Sequence, residues 1–220
     1  MLTRNELAAL IDHTLLKPTA TLPDIKRLCE EARQFHFAAV CVNPCYVRIA
    51  SQELADTPVK VCTVIGFPLG ATSSLMKAME AEVAIADGAQ ELDMVMNIGA
   101  FKHGDLKIVE KEIRQVTEVS EGRALVKVIL ETGYLSREEI VTACRVAQEA
   151  GAQFVKTSTG FGPRGATVED IVIMREAVGQ SLGIKASGGI REYEVAIRMV
   201  EAGANRLGTS AGVALVSWEG

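Results

Sequence analysis

"EAGAQFVK", residues 149–156, is the stretch on which the fold turns. It runs from a helix end through glycine and alanine into an apolar segment that stops at a lysine. The same order recurs in "ADGAQELD" at 86–93 and "EAGANRLG" at 201–208. Glycine suits the left-handed position that ends a helix. Counting five residues on from each glycine gives Asp93, Lys156 and Gly208. A fourth unit, "FHFAAVC" at 35–41, fits if His36 takes the glycine place, and its fifth residue is Cys41.

Around these units the chain alternates short apolar runs with longer ones of helical period. The expected strands are "LIDHTL", "AAVCVN", "KVCTVIG", "ELDMVMN", "LVKVILE", "FVKTST", "GIKASG" and "RLGTS". "SSLMKAMEAEVAIADG" and "SREEIVTACRVAQEAG" read as helices, and capping boxes at Thr3/Glu6 and Ser136/Glu139 mark helix starts. Eight strands alternating with helices fit a (β/α)8 TIM barrel or a doubly wound open sheet. An open sheet calls for a glycine-rich phosphate loop after its first strand, and "IDHTLLKPTA" has none. The expectation is one α/β barrel domain over 1–220, with the short helix opened by Thr3 closing its bottom. The four units are then strands two, four, six and eight. Alternate strands of a barrel fill the same interior layer, so Cys41, Asp93, Lys156 and Gly208 should share one.

Composition narrows the function. Hydrophobic residues at 48% and charged residues at 23% give a globular balance with core to spare. A net charge of -5 without a Lys/Arg cluster argues against nucleic acid. No apolar run reaches the ~20 residues of a membrane span, and "MLTRNELAAL" lacks the form of a signal peptide. Five scattered cysteines fit reduced thiols in the cytoplasm. "CVNPC" has no partner pair, and His13, His36 and His103 share no spacing, so no metal site is expected.

The chemistry lies in lysines set among apolar strand residues: Lys127, Lys156 and Lys185. One such lysine usually snorkels to water. Three on consecutive strands, with Asp93 in reach, point to catalysis. Lys156 and Lys185 fall on neighbouring strands. At ~6 Å and an effective dielectric of ~20, two ammoniums repel by about 3 kcal/mol, or roughly two pKa units. One amine then spends more time neutral, and a neutral amine adds to carbonyls to form a Schiff base. Asp93 can carry the protons. Lys127 and Thr159 are candidate substrate contacts, as is Cys41. Asp12 and Thr14 share a strand face, and either bind substrate hydroxyls or form a polar core pair.

The ends of strands seven and eight, "SGGI" and "GTSAG", carry residues small enough for backbone N–H groups to approach an anion. Gly188, Gly189, Gly208 and Ser210 are the candidate phosphate cradle, with Gly160 of "STGFG" beside them. "IGFPLG" reads as a loop that starts a helix.

"FVKTSTGF", "ELDMVMN" and "IKASGGI", together with "IDHTLLKP", "VCVNP", "VIGFPLG", "VKVILETG" and "GTSAG", resemble the deoxyribose-phosphate aldolase family over nearly the whole chain. The resemblance implies a (β/α)8 barrel that reversibly cleaves 2-deoxy-D-ribose 5-phosphate to D-glyceraldehyde 3-phosphate and acetaldehyde. It also implies no metal or organic cofactor, and a dimer or tetramer. It places the Schiff-base lysine at Lys156, the second lysine at Lys185 and the proton-relay aspartate at Asp93. Two departures stand out: Phe161 replaces a phosphate-contacting lysine found in some members, and the chain ends at "SWEG" without a longer tyrosine-tipped tail. Two rivals remain. Another Schiff-base barrel acting on keto acids would call for an inward arginine, for which Arg206 is the one candidate. A barrel that only binds sugar phosphates would have no use for the lysines and Asp93 together.

Overall fold

The computed structural model describes residues 2–218. Met1 and the final Glu219 and Gly220 of "SWEG" lie outside the described residues, so the 1–220 boundary is untouched at both ends. In chain order the elements are α1 (Arg4–Ala8), β1 (Ile11–Leu15), α2 (Leu22–Phe35), β2 (Ala39–Val42), α3 (Val47–Glu53), β3 (Lys60–Ile65) and α4 (Ser74–Ala86). They continue with β4 (Glu91–Val95), α5 (Ile98–His103), α6 (Leu106–Ser120), β5 (Leu125–Ile129), α7 (Arg137–Glu149) and β6 (Phe154–Lys156). The last are α8 (Val168–Val178), β7 (Gly183–Ser187), α9 (Tyr193–Glu201), β8 (Arg206–Thr209) and α10 (Gly212–Val216). The eight strands lie parallel in sequence order, and β8 closes on β1. This is the (β/α)8 barrel.

The repeat that pointed to it has a backbone cause. His36, Gly88, Gly151 and Gly203 all adopt positive φ, at 56°, 107°, 85° and 115°, each just past a helix and just before an even-numbered strand. His36 takes this conformation without glycine's freedom, at a cost of about 1 kcal/mol. Both expected capping boxes are present, at Thr3/Glu6 and Ser136/Glu139. Helix α1 buries Leu7 and Ala8 at the N-terminal end of β1 and packs against α10.

Register and alternation sort the strand residues into two sets. Val40, Leu92, Val155, Ile184 and Leu207 face the helices and join the large apolar cluster there. Asp12, Glu91, Asp93, Lys127, Lys156, Lys185 and Arg206 face inward. Pairings of Thr14 with Cys41, Val64 with Asp93, Ile129 with Lys156, and Ser187 with Gly208 place Cys41, Asp93, Lys156 and Gly208 in one layer. The barrel interior is therefore two-sided. Toward β2 and β3 it is packed with Leu16, Ala39, Cys41, Cys62 and Val64, and toward β1 and β4–β8 it is charged. Below, Arg206 bonds Asp12 at 2.7 Å and both oxygens of Glu91 at 2.7 and 2.8 Å, an ionic floor on the N-terminal side.

Strand β6 ends three residues earlier than "FVKTST" suggests. Its continuation is held by other bonds. Thr157 Oγ1 donates to the Ser187 carbonyl at 3.1 Å and accepts from the Ser187 N–H at 3.0 Å, while Ser187 Oγ donates to the Ser158 carbonyl. These hydroxyls compete with the ladder for backbone groups. No helix among the described residues is long and apolar enough to cross a membrane.

Candidate active site

A cavity of about 230 Å³ opens at the C-terminal ends of β1, β6, β7 and β8, the end where barrels of this kind carry their chemistry. Its floor is Lys156. The ammonium of Lys156 donates to Asp93 Oδ2 at 2.7 Å, and Lys185 donates to the same oxygen at 2.7 Å. Lys127 donates to the other oxygen, Oδ1, at 2.8 Å. One carboxylate thus gathers three lysines. The two amines expected to repel each other directly have Asp93 between them.

The remaining partners are unequal. Lys185 also meets Asp12 at 2.5 Å, and Lys127 meets Glu91 at 2.6 Å. Lys156 pairs with Asp93 alone among the described residues. Burial would push the Asp93 carboxyl up, but Lys127, Lys156 and Lys185 outweigh it and hold the group well below the usual carboxylate range. Burial would likewise favour neutral amines at Lys127 and Lys185. Asp93 beside the first, and Asp12 with Asp93 beside the second, reverse this and hold both protonated. Asp12 is held ionised against its own burial by Lys185, Arg206 and Lys127.

Counting formal charges, four cations (Lys127, Lys156, Lys185, Arg206) face three carboxylates (Asp12, Glu91, Asp93). Loss of one proton balances the set. Lys156 alone among the four reaches the cavity wall.

The expected site residues separate into two shells. Thr14, Lys156, Thr159 and the cradle residues Gly160, Gly188, Gly189, Gly208 and Ser210 line the cavity. Asp93, Lys185, Lys127, Asp12 and Cys41 lie fully buried beneath it. Asp12 is therefore placed as a counterion of the lysine cluster and Lys127 as one of its members, both away from the cavity wall. Cys41 packs with Ala39, Cys62 and Val64 on the apolar side. Cys41, Cys62 and Asp93 bring potential metal-ligand atoms within 4.8 Å, as do Asp12, Cys62 and Glu91, a juxtaposition invisible in the linear spacing. The carboxylates in both groups already accept from lysine or arginine.

In the cradle, the N–H groups of Gly188, Gly189 and Ser210 have no acceptor among the described residues. Gly189 has φ 80°, and an added Cβ would stand in open space. Besides Lys156, two cations border the cavity: Arg191, and Lys17, which sequence reading passed over. Phe161 meets Phe67 of "IGFPLG" edge to face at 5.4 Å, so that loop reaches the cavity rim.

Glu131 was also missed. Buried at 2% exposure and at φ 55°, it accepts from the Thr159 N–H at 3.1 Å and from the Thr159 hydroxyl. It anchors the loop that carries Thr159 and Gly160.

Residues 7–216 match the DeoC/LacD family of aldolases. The chain is 59% identical over 212 residues to the deoxyribose-phosphate aldolase of Caldanaerobacter subterraneus subsp. tengcongensis, covering 96% of this chain and 92% of that one. It is 58% identical to deoxyribose-phosphate aldolase 1 of Bacillus licheniformis, covering 96% and 95%. Among solved structures, the tetrameric deoxyribose phosphate aldolase from Aeropyrum pernix superposes with a TM-score of 0.92 at 34% identity, over 97% of this chain and 91% of that one. A barrel whose lysines converge on one carboxylate, matched over nearly its full length by these enzymes, is an aldolase: the chain belongs to the DeoC/LacD family.

Proposed function

We propose that the protein reversibly cleaves 2-deoxy-D-ribose 5-phosphate to D-glyceraldehyde 3-phosphate and acetaldehyde through a Schiff base on Lys156. The observation that carries this reading is the position of Lys156: at the cavity wall, on a carboxylate shared with two fully buried lysines.

In the synthetic direction, neutral Lys156 adds to the carbonyl carbon of acetaldehyde; its nitrogen gives up a proton and the carbonyl oxygen takes one up, giving a carbinolamine. A second proton on that oxygen lets water leave and forms the iminium ion. Asp93 and Lys185, bonded to each other at 2.7 Å, are the relay for these protons. The iminium nitrogen then draws electrons from the methyl group, which loses a proton to give the enamine. The enamine carbon bonds to the aldehyde carbon of glyceraldehyde 3-phosphate, whose oxygen is protonated. Water hydrolyses the new iminium and frees the amine. The nitrogen is the electron sink, so the step calls on no metal or organic cofactor.

Acetaldehyde with borohydride tests this directly. Reduction should fix one two-carbon adduct, and peptide mapping should place it on the segment containing Lys156. An adduct on Lys185 or Lys127 alone would overturn the assignment.

The substrate phosphate is placed on the free N–H groups of the "SGG" and "GTS" loops, with Lys17 and Arg191 at the rim. Gly189→Val fills the open space at this turn. Charge-assisted hydrogen bonds are worth about 1.5–3 kcal/mol, so the KM for deoxyribose 5-phosphate should rise about tenfold to hundredfold. Turnover of unphosphorylated deoxyribose should change little. Equal loss on both substrates would mean that the loop holds the barrel and not the phosphate.

We further place the reaction in the cytoplasm, in line with cysteines that are unpaired among the described residues, and assign the working form to a homo-oligomer, as in the Aeropyrum pernix relative.

A further inference from the structure

Glu131 combines two costly features at one position outside the reacting groups. Its backbone is left-handed at φ 55° without glycine's freedom, and its carboxylate is buried. Backbone strain and a part-satisfied buried carboxylate persist only where the surrounding structure holds them, and such features gather at functional sites. An ion pair does not account for it. Arg164, on the loop that Glu131 touches, bonds Asp170 instead, at 3.0 Å. Glu131 Oε2 takes both donors of a single residue, the Thr159 N–H at 3.1 Å and the Thr159 hydroxyl. Oε1 is buried with no partner among the described residues, against Gly162, where an added Cβ would stand 2.7 Å from it.

The bonds that follow leave one donor free. The Thr159 hydroxyl, while donating to Glu131, accepts from the Phe161 N–H at 3.0 Å. Of three consecutive N–H groups, those of Thr159 and Phe161 are thus taken up within the turn. The N–H of Gly160, between them, has no acceptor among the described residues. Gly160 lines the cavity at φ 88°, and a Cβ on it would meet open space. It also lies against the neighbouring arm of the cradle, since a Cβ on Gly188 would come 3.7 Å from the Gly160 Cα.

We infer that Glu131 is a positioning residue for phosphate recognition. It holds the 159–161 turn so that the Gly160 N–H joins those of Gly188, Gly189 and Ser210 on the anion. It thereby sets the preference for phosphorylated substrate without touching it. The inference rests on the phosphate cradle of the proposed function and names what aims one of its arms. Bonds that do not involve the Glu131 side chain hold the nucleophile. Lys156 pairs in register with Lys185, its carbonyl accepts from the Leu130 N–H at 2.9 Å, and Thr157 bonds both Lys185 and Ser187. The turn beyond residue 158 can therefore shift while the amine stays in place.

Two variants and two substrates test this. Glu131→Gln keeps a carbonyl oxygen for both Thr159 donors. Glu131→Asn suits the left-handed backbone, which asparagine tolerates better than most residues, but falls one methylene short of Thr159. Loss of one N–H bond to a charged group should raise the KM of Glu131→Asn for deoxyribose 5-phosphate about tenfold to hundredfold. Its kcat, and its kcat/KM for unphosphorylated deoxyribose, should stay within about threefold of the parent. Inorganic phosphate should weaken as a competitive inhibitor by the same factor as the KM rises. Glu131→Gln should restore parent values in all these readouts. If Glu131→Asn does not fold, Glu131→Gly deletes the carboxylate at a φ that glycine adopts freely and gives the same comparison. Equal loss on both substrates would make Glu131 a structural anchor and overturn the inference. A parent that prefers deoxyribose 5-phosphate, with the preference kept in Glu131→Asn, would leave the cradle standing and remove Glu131 from it. A parent with no such preference would remove the cradle itself.

Discussion

Lys156→Met is expected to fold like the parent and to lose turnover of deoxyribose 5-phosphate by at least about four orders of magnitude, because the nucleophile is gone and Lys17, the other amine bordering the cavity, has no bond to Asp93. Charge counting supports the fold. The parent cluster holds four cations against three carboxylates, and removing Lys156 leaves three against three. Asp93 keeps Lys127 at 2.8 Å and Lys185 at 2.7 Å. Methionine matches the lysine stem in length and adds no buried charge, so thermal stability should stay close to that of the parent or rise. Steady-state kinetics and a melting curve on the same preparation decide the matter. Turnover within tenfold of the parent would exclude Lys156 as nucleophile, and a collapsed melting temperature would make it a structural counterion.

Asp93→Asn is predicted to fail in the opposite manner, losing both stability and activity. The amide keeps the shape of the carboxylate but leaves four cations with Asp12 and Glu91 only. Removing one partner from a buried ionic group costs about 3–5 kcal/mol. Loss of the proton carrier should lower the rate by a further ~10²–10⁴.

The two effects separate by pH. Asp93→Asn takes from Lys127 and Lys185 a carboxylate that holds their protons against burial, so the folded variant releases those protons at lower pH than the folded parent does. Stability of Asp93→Asn relative to the parent should therefore improve as pH rises toward 10. In the parent, Asp93 and Asp12 have folded pKa values below the usual range. Their contribution is complete above about pH 4 and is lost as pH falls toward the folded values. Denaturation curves from pH 6 to 10 test this. A deficit that is flat or grows with pH would show that the buried lysines are not what destabilises the variant.

How much of this was legible in the sequence depends on whether a signal is local. The helix-stopping positions at Gly88, Gly151 and Gly203 sit a fixed count before the inward residue of the following strand, so one layer of the barrel could be read by counting. Lys156 and Asp93 followed because a charge within an apolar run is visible in one dimension. What those charges pair with is not. Asp12, Glu91 and Arg206 come from strands far apart in the chain, and only the closure of β8 on β1 joins them. Glu131 escaped notice because its left-handed backbone has no glycine to mark it. Helix α4 reads as helical from its period, but it is apolar on two sides. Its period alone does not tell which side meets the barrel, and Lys77 turns out to point inward.

The two-sided sorting of the strands has a further meaning for how the sequence can change. In β4, Glu91, Asp93 and Val95 point inward while Leu92 and Met94 point to the helices; in β7, Lys185 and Ser187 alternate with Ile184 and Ala186. Reactivity and cohesion are thus written on alternate letters of the same words. Point substitutions can revise either text without touching the other. A single-residue insertion or deletion within a strand cannot, since it exchanges the two sets beyond it, sending leucine and methionine into the charged interior and aspartate into the apolar shell. Length variation in such a chain is confined to the loops, while the strands keep their frame.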